Sequence, residues 1–120
     1  MIRMVGTRII IPKGDTGSFH LTNRGENSEN TVAVFSVKDP LTKKTVIEKI
    51  IDVSERNIKI EIESKDTKGL PAGKYFWDLK LYKNPEYDED GVLIDALEID
   101  SYYSAFKSPL FIIKEVPQNV

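Results

Sequence analysis

The chain contains no cysteine, one histidine and one tryptophan in 120 residues. Without cysteine there are no disulfides, no thiolate metal sites and no cysteine nucleophile. The compartment stays open, because a domain of this size buries about two-thirds of its unfolded surface and needs no covalent staple. Long apolar runs are also missing. Near the start the longest apolar run is Ile9, Ile10 and Ile11, whereas a signal peptide needs about 7–15 apolar residues and a membrane helix about 20. The expectation is synthesis in the cytoplasm without a signal peptide, and no membrane span. Charge of one sign is scarce as well. Seventeen Lys and Arg against nineteen Asp and Glu leave a net charge of −2. No basic arm is present to recruit nucleic acid.

What is there is alternation. Residues 70–83 read LPAGKYFWDLKLYK. A Pro-Ala-Gly turn feeds a segment with Tyr75, Trp77, Leu79 and Leu81 on one face and Phe76, Asp78, Lys80 and Tyr82 on the other. That is the period of a half-buried strand. Residues 57–63 (NIKIEIE) alternate more cleanly, with Ile58, Ile60 and Ile62 inward. Residues 31–38 (TVAVFSVK) carry apolar side chains on both faces, and Ala33, Phe35 and Val37 are the set expected to face the core.

Further strands are expected at 8–11, 18–22 and 109–116. Residues 45–52 (TVIEKIID) fit a strand or one face of a helix, and β-branching favours the strand. A single helical turn suits 64–68, with Ser64 as candidate N-cap. Residues 84–91 (NPEYDEDG) read as an acidic loop ending in Asp-Gly. An added hairpin, within about 84–108, is expected to pair 92–100 with 102–106. Eight or nine short strands with turns at intervals of roughly ten residues describe one all-β sandwich or barrel, its core spanning about 8–116.

Each candidate for chemistry has a simpler structural reading. His20 lies opposite Phe19 and Leu21, towards solvent, with no residue to orient its ring. Glu86, Asp88, Glu89 and Asp90 offer oxygens to a cation, but the EF-hand pattern fails and a solvated turn suffices. Asp15-Thr16-Gly17 has the tripeptide of aspartic proteases, which need two carboxylates sharing a proton. A turn with Asp15 accepting backbone N–H bonds is simpler. Asp66 and Asp78 show no evident partner, so no glycosidase pair is indicated. P-loop, dinucleotide, G-x-S-x-G and H-E-x-x-H motifs are absent. No catalytic residue, cofactor or metal ligand is assigned. Tyr87, Tyr102, Tyr103 and Phe106 cluster in or near the expected hairpin, and aromatics outside a core favour contact surfaces. They are the candidate partner contacts, either for another protein or, as an alternative, as a stacking platform for carbohydrate.

The order of these elements resembles a known family. Gly14-Asp15-Thr16 leads into an alternating strand. A V-x-F-x-V-K strand and an I-x-I-x-I strand follow, then a polar turn at Ser64 to Thr67. The signature is Leu70-Pro-Ala-Gly-Lys-Tyr-Phe-Trp-Asp-Leu-Lys. Together they resemble the small immunoglobulin-like β-sandwich proteins of phage and prophage tail and baseplate regions in Gram-positive bacteria. One member of that group is the N-terminal domain of the lactococcal-type upper baseplate protein. The resemblance covers roughly 8–116 and departs at 84–108, where relatives use a shorter hairpin. It implies an immunoglobulin-like antiparallel β-sandwich of about seven to nine strands. It also implies a non-enzymatic, virion-associated structural or adaptor protein that forms homo-oligomers or docks other phage structural proteins.

Overall fold

Alternating apolar residues can bury one face of a strand only if a second layer covers them. A computed structural model describes residues 1–22, 31–53, 57–102 and 110–115. Among the described residues nine strands and one helical turn follow in order: β1 (Arg3–Val5), β2 (Arg8–Pro12), β3 (Gly17–Thr22), β4 (Thr31–Lys38), β5 (Thr45–Asp52), β6 (Asn57–Ile62), α1 (Ser64–Lys68), β7 (Gly73–Tyr87), β8 (Leu93–Tyr102) and β9 (Leu110–Lys114). One sheet runs β1-β2-β9-β7-β4-β5, with β8 also on β7, and the other is the pair β3-β6. The fold is an all-β sandwich. Within it, β9-β7-β4-β5 against β3-β6 repeats the G-F-C-C′ against B-E order of immunoglobulin sheets.

The core lies between the sheets. Ile9 and Ile11 come from β2, Phe19 and Leu21 from β3, and Ala33, Phe35 and Val37 from β4. Ile58, Ile60 and Ile62 come from β6, and Tyr75, Trp77, Leu79 and Leu81 from β7. These are the faces the alternation predicts. Phe35 sits at the centre, edge-on to Phe19 at 5.5 Å between centroids and tilted against Trp77 at 5.6 Å and Phe111 at 6.4 Å. Two polar handles on these rings are satisfied by backbone. Trp77 Nε1 donates to the Thr7 carbonyl at 2.9 Å, and the Tyr75 hydroxyl donates to the Pro71 carbonyl at 2.6 Å. The second bond is the tyrosine corner of immunoglobulin-like sandwiches, closing the turn that precedes strand F. Burial, and secondarily the Asp39 charge, push the Tyr75 hydroxyl above its usual pKa.

Four expectations need correction. The sandwich is not wholly antiparallel, because β2 runs parallel to β9, with Ile9 opposite Phe111 and Ile11 opposite Ile113. The turn after β2 carries the chain across to the other sheet, which leaves β2 to close the edge against the last strand. The unforeseen β1 pairs antiparallel with β2 in front of it. The residue at the N-cap of α1 is Glu63, not Ser64. Its N–H donates to Asp66 Oδ2 at 2.7 Å, and the Asp66 N–H donates back to the Glu63 carbonyl at 3.0 Å.

The largest difference is at 84–102. Residues 103–106 of the expected hairpin lie outside the described residues, and among those described 93–102 does not stand apart as a hairpin arm. Instead β7 continues to Tyr87 and pairs with β8, Tyr87 standing opposite Leu93 and Leu79 opposite Tyr102. Pro85 is tolerated because the ladder is bulged there, between Lys83 and Glu86 and again before Tyr87. Asn84 absorbs the bend at φ 54°, a left-handed conformation that asparagine adopts more readily than most residues. The bent tip, Gly91 to Leu93, curls over the outer face of the main sheet beside Val34, Ser36 and Tyr82. This cover accounts for the burial of Ser36, on the side of β4 away from the core.

Candidate functional site

The Asp-Thr-Gly turn is a structural clasp. Gly14 has φ 79° and its N–H donates to Thr67 Oγ1 at 2.8 Å, tying the turn to α1. Thr67 is completely buried. Gly17 lies against Ile2, and a Cβ there would meet Ile2 Cγ2 at 2.5 Å, so a larger residue would have to displace Ile2. The Asp15 carboxylate is bonded by the Met1 ammonium and by the Thr16 N–H, and both hold its pKa below the usual aspartate range. These are the bonds of a turn, and Asp15 faces the Met1 ammonium where the protease chemistry needs a second carboxylate.

The other candidates are placed as follows. His20 is exposed on β3, opposite Lys59 of β6. Asp78 lies 3.9 Å from Lys38 Nζ, and Asp66 pairs with Lys49 Nζ at 2.7 Å. Both therefore have partners that the linear sequence does not display. One signal was available for the second pair: Lys49 occupies a core-facing position between Ile47 and Ile51 of β5. An inward charge on an edge strand also blunts unwanted pairing. In the acidic turn, Asp88 Oδ1 accepts the N–H groups of Asp90 and Val92, both at 2.9 Å. The Gly91 N–H closes the turn on the Asp88 carbonyl. One Asp88 oxygen is thus engaged by its own loop, and among the described residues no group of three metal-binding side chains assembles.

Of the four candidate contact aromatics, Tyr87 is exposed at the outer end of β7. Tyr102 is the last residue of β8, opposite Leu79. Tyr103 and Phe106 lie outside the described residues. The exposed apolar groups near the β7–β8 turn are Tyr87, Val92 and Ile94, at 43%, 57% and 61% of full exposure. The last two were not singled out from the sequence, though their place just after the Asp-Gly turn was a usable sign.

A cleft of about 670 Å³ opens at the root of this hairpin. The start of β4 contributes Thr31 and Val32, and the end of β5 contributes Asp52 with Val53 after it. The bent part of β7 contributes Asn84, Pro85, Glu86 and Tyr87. Thr31 is buried and its Oγ1 has no hydrogen-bond partner among the described residues. Among the described residues, no lysine, arginine or histidine lines the cleft.

Compared with protein-family models, with curated proteins and with solved structures, the chain finds no match in any of the three.

Proposed function

We propose that this chain is a non-enzymatic assembly module, one that works by presenting the β7–β8 hairpin on a rigid sandwich to neighbouring subunits. The observation that supports this reading is the exposure of Tyr87, Val92 and Ile94 together at the end of a strand anchored in the core. Large apolar side chains left exposed near a hairpin turn are unfavourable in isolation and gain free energy when a partner covers them. The rigid base lowers the entropy lost on docking. The resemblance in sequence supports a place among phage or prophage tail and baseplate proteins, where repeated copies turn weak contacts into strong ones.

Light scattering coupled to size-exclusion chromatography, over a tenfold concentration range, tests it. The wild-type chain should exceed its monomer mass of 13.6 kDa. The combined Tyr87→Ser, Val92→Ser, Ile94→Ser variant should elute as a folded monomer. A wild-type monomer at every concentration would overturn self-assembly. An unchanged oligomer in the variant would move the contact elsewhere.

A further inference from the structure

We infer that the outward side of β1, β2 and β9 is the seat for the β7–β8 turn of a second copy of this chain. This pairing rests on the assembly reading and names the surface that receives the turn. A sheet with one solvated face alternates apolar and polar residues, whereas strands covered on both sides read as continuous apolar runs. β2 carries Ile9, Ile10 and Ile11, and β9 carries Leu110, Phe111, Ile112 and Ile113. Ile9, Ile11, Phe111 and Ile113 are in the core. Ile10 and Ile112, opposite each other in the register, therefore face outward, in one row with Arg3 of β1 and Lys74 of β7. In the next outward row Val5 stands opposite Arg8, and Val5 is 56% exposed. Neither described layer covers these rows. The β3–β6 sheet packs on the core side, and the β7–β8 turn lies beside Val34, Ser36 and Tyr82.

Charge selects the occupant. Arg3, Arg8, Lys74 and Lys114 are exposed on these strands, and none forms an ion pair with a described residue. Lys114 stands opposite Pro12, on the same side as Ile112. The carboxylates beside them, Asp78 and Glu115, are paired with Lys38 and Lys13 at 3.9 and 3.8 Å. The β7–β8 turn has the complementary make-up. Glu86, Asp88, Glu89 and Asp90 are exposed and form no ion pair with a described residue. Tyr87, Val92 and Ile94 are exposed among and after them. The turn therefore offers carboxylates to the cations and apolar side chains to Val5, Ile10 and Ile112. Nucleic acid or an anionic membrane would answer the cations but repel these four carboxylates, whose turn lies over the outward side of the same sheet. That shared side also suits a two-fold axis, about which each copy gives one turn and receives one.

Charge reversal tests this pairing. One variant carries Arg3→Glu with Arg8→Glu, the other Glu89→Lys with Asp90→Lys, all at exposed positions. Each alone should weaken self-association by roughly a hundredfold, because like charges then meet. The readout is solution mass against concentration. Mixed in equal amounts, the two variants should associate about as strongly as the wild type, since each reversed face then meets a reversed turn. Added salt should dissociate the wild-type chain. Carbodiimide coupling of mixed isotopically light and heavy wild-type protein gives a second reading that needs no variant. Bonds from Lys74 or Lys114 of one copy to carboxylates at 86–90 of the other are expected. Wild-type association in either variant, a mixture that stays monomeric, or coupling of the turn to other lysines alone would overturn this pairing and leave assembly standing. A wild-type chain that is monomeric at every concentration would overturn both. Monomers that bind phosphatidylserine vesicles or duplex DNA through Arg3 and Arg8 would assign the face to that partner instead.

Discussion

The two halves of β7 are one strand under two regimes. From Tyr75 to Tyr82, buried and half-buried residues alternate, with Tyr75, Trp77, Leu79 and Leu81 in the core. This half is flanked by β4 along its length and by β9 at its start. From Lys83 to Tyr87 no side chain is buried, the ladder to β8 is bulged, and Asn84 has left-handed backbone. The first half draws its stability from a second layer packed upon it. The second half has no layer beneath it and is held by backbone pairing with β8. Such pairing contributes little net free energy beyond what water offers the same groups. One half serves as foundation and the other as a displayed surface.

Substitutions sharpen this contrast in order of size. Phe35→Ala should have the largest effect, since Phe35 is fully buried and touches three rings. A loss of about 3–5 kcal/mol is expected for a core phenylalanine, read by urea unfolding. A loss below about 1 kcal/mol, a surface-like value, would mean that the core does not carry the stability assigned to it. Tyr75→Phe keeps the ring and removes the bond to Pro71, so it should cost about 1 kcal/mol. An unchanged midpoint would remove the tyrosine corner from the account.

Acid should act on the foundation as well. Asp15 is held low by the Met1 ammonium and the Thr16 N–H, and Asp39 by the N–H groups of Thr42 and Leu41. Each carboxylate is more acidic folded than unfolded. Its contribution is therefore complete above the unfolded value, about pH 4, and is lost as pH falls through the lowered folded value. Both groups are exposed, so the effect is small. Thermal melts between pH 7 and pH 2 should show a drop that Asp15→Asn with Asp39→Asn flattens. Equal acid sensitivity in that double variant would contradict it. The smallest effects belong to the hairpin. Tyr87→Ser, Val92→Ser and Ile94→Ser should each change stability by no more than about 0.5 kcal/mol. A cost above about 2 kcal/mol at any of them, typical of core loss, would make the hairpin part of the foundation.

The same contrast explains what was legible in the sequence. Alternation is a local signal, and it located the buried sets at 33, 35 and 37, at 58, 60 and 62, and at 75 to 81. At Thr45–Asp52 the periodicity also fitted a helix, and it was β-branching that favoured the strand the structure has. The parallel pairing of β2 with β9 was not legible, because it joins residues about a hundred positions apart and depends on which sheet edge the chain leaves open. The continuation of β7 was hidden by Asn84 and Pro85, which normally end a strand and here sit at a bulge. Lys49 and Asp66 read as unrelated charges, since their meeting depends on β5 and α1 flanking the same opening of the sandwich. The cleft was invisible for the same reason: its walls come from three strands and take shape only once β7 bends.

Hydrogen exchange read by mass spectrometry, at low and at high protein concentration, tests the division of labour most directly. The account predicts that amides from Tyr87 to Ile94 gain protection as concentration rises, while those from Tyr75 to Leu81 are already protected and do not change. Concentration-dependent protection at the free edge of β5, with none in the hairpin, would contradict it.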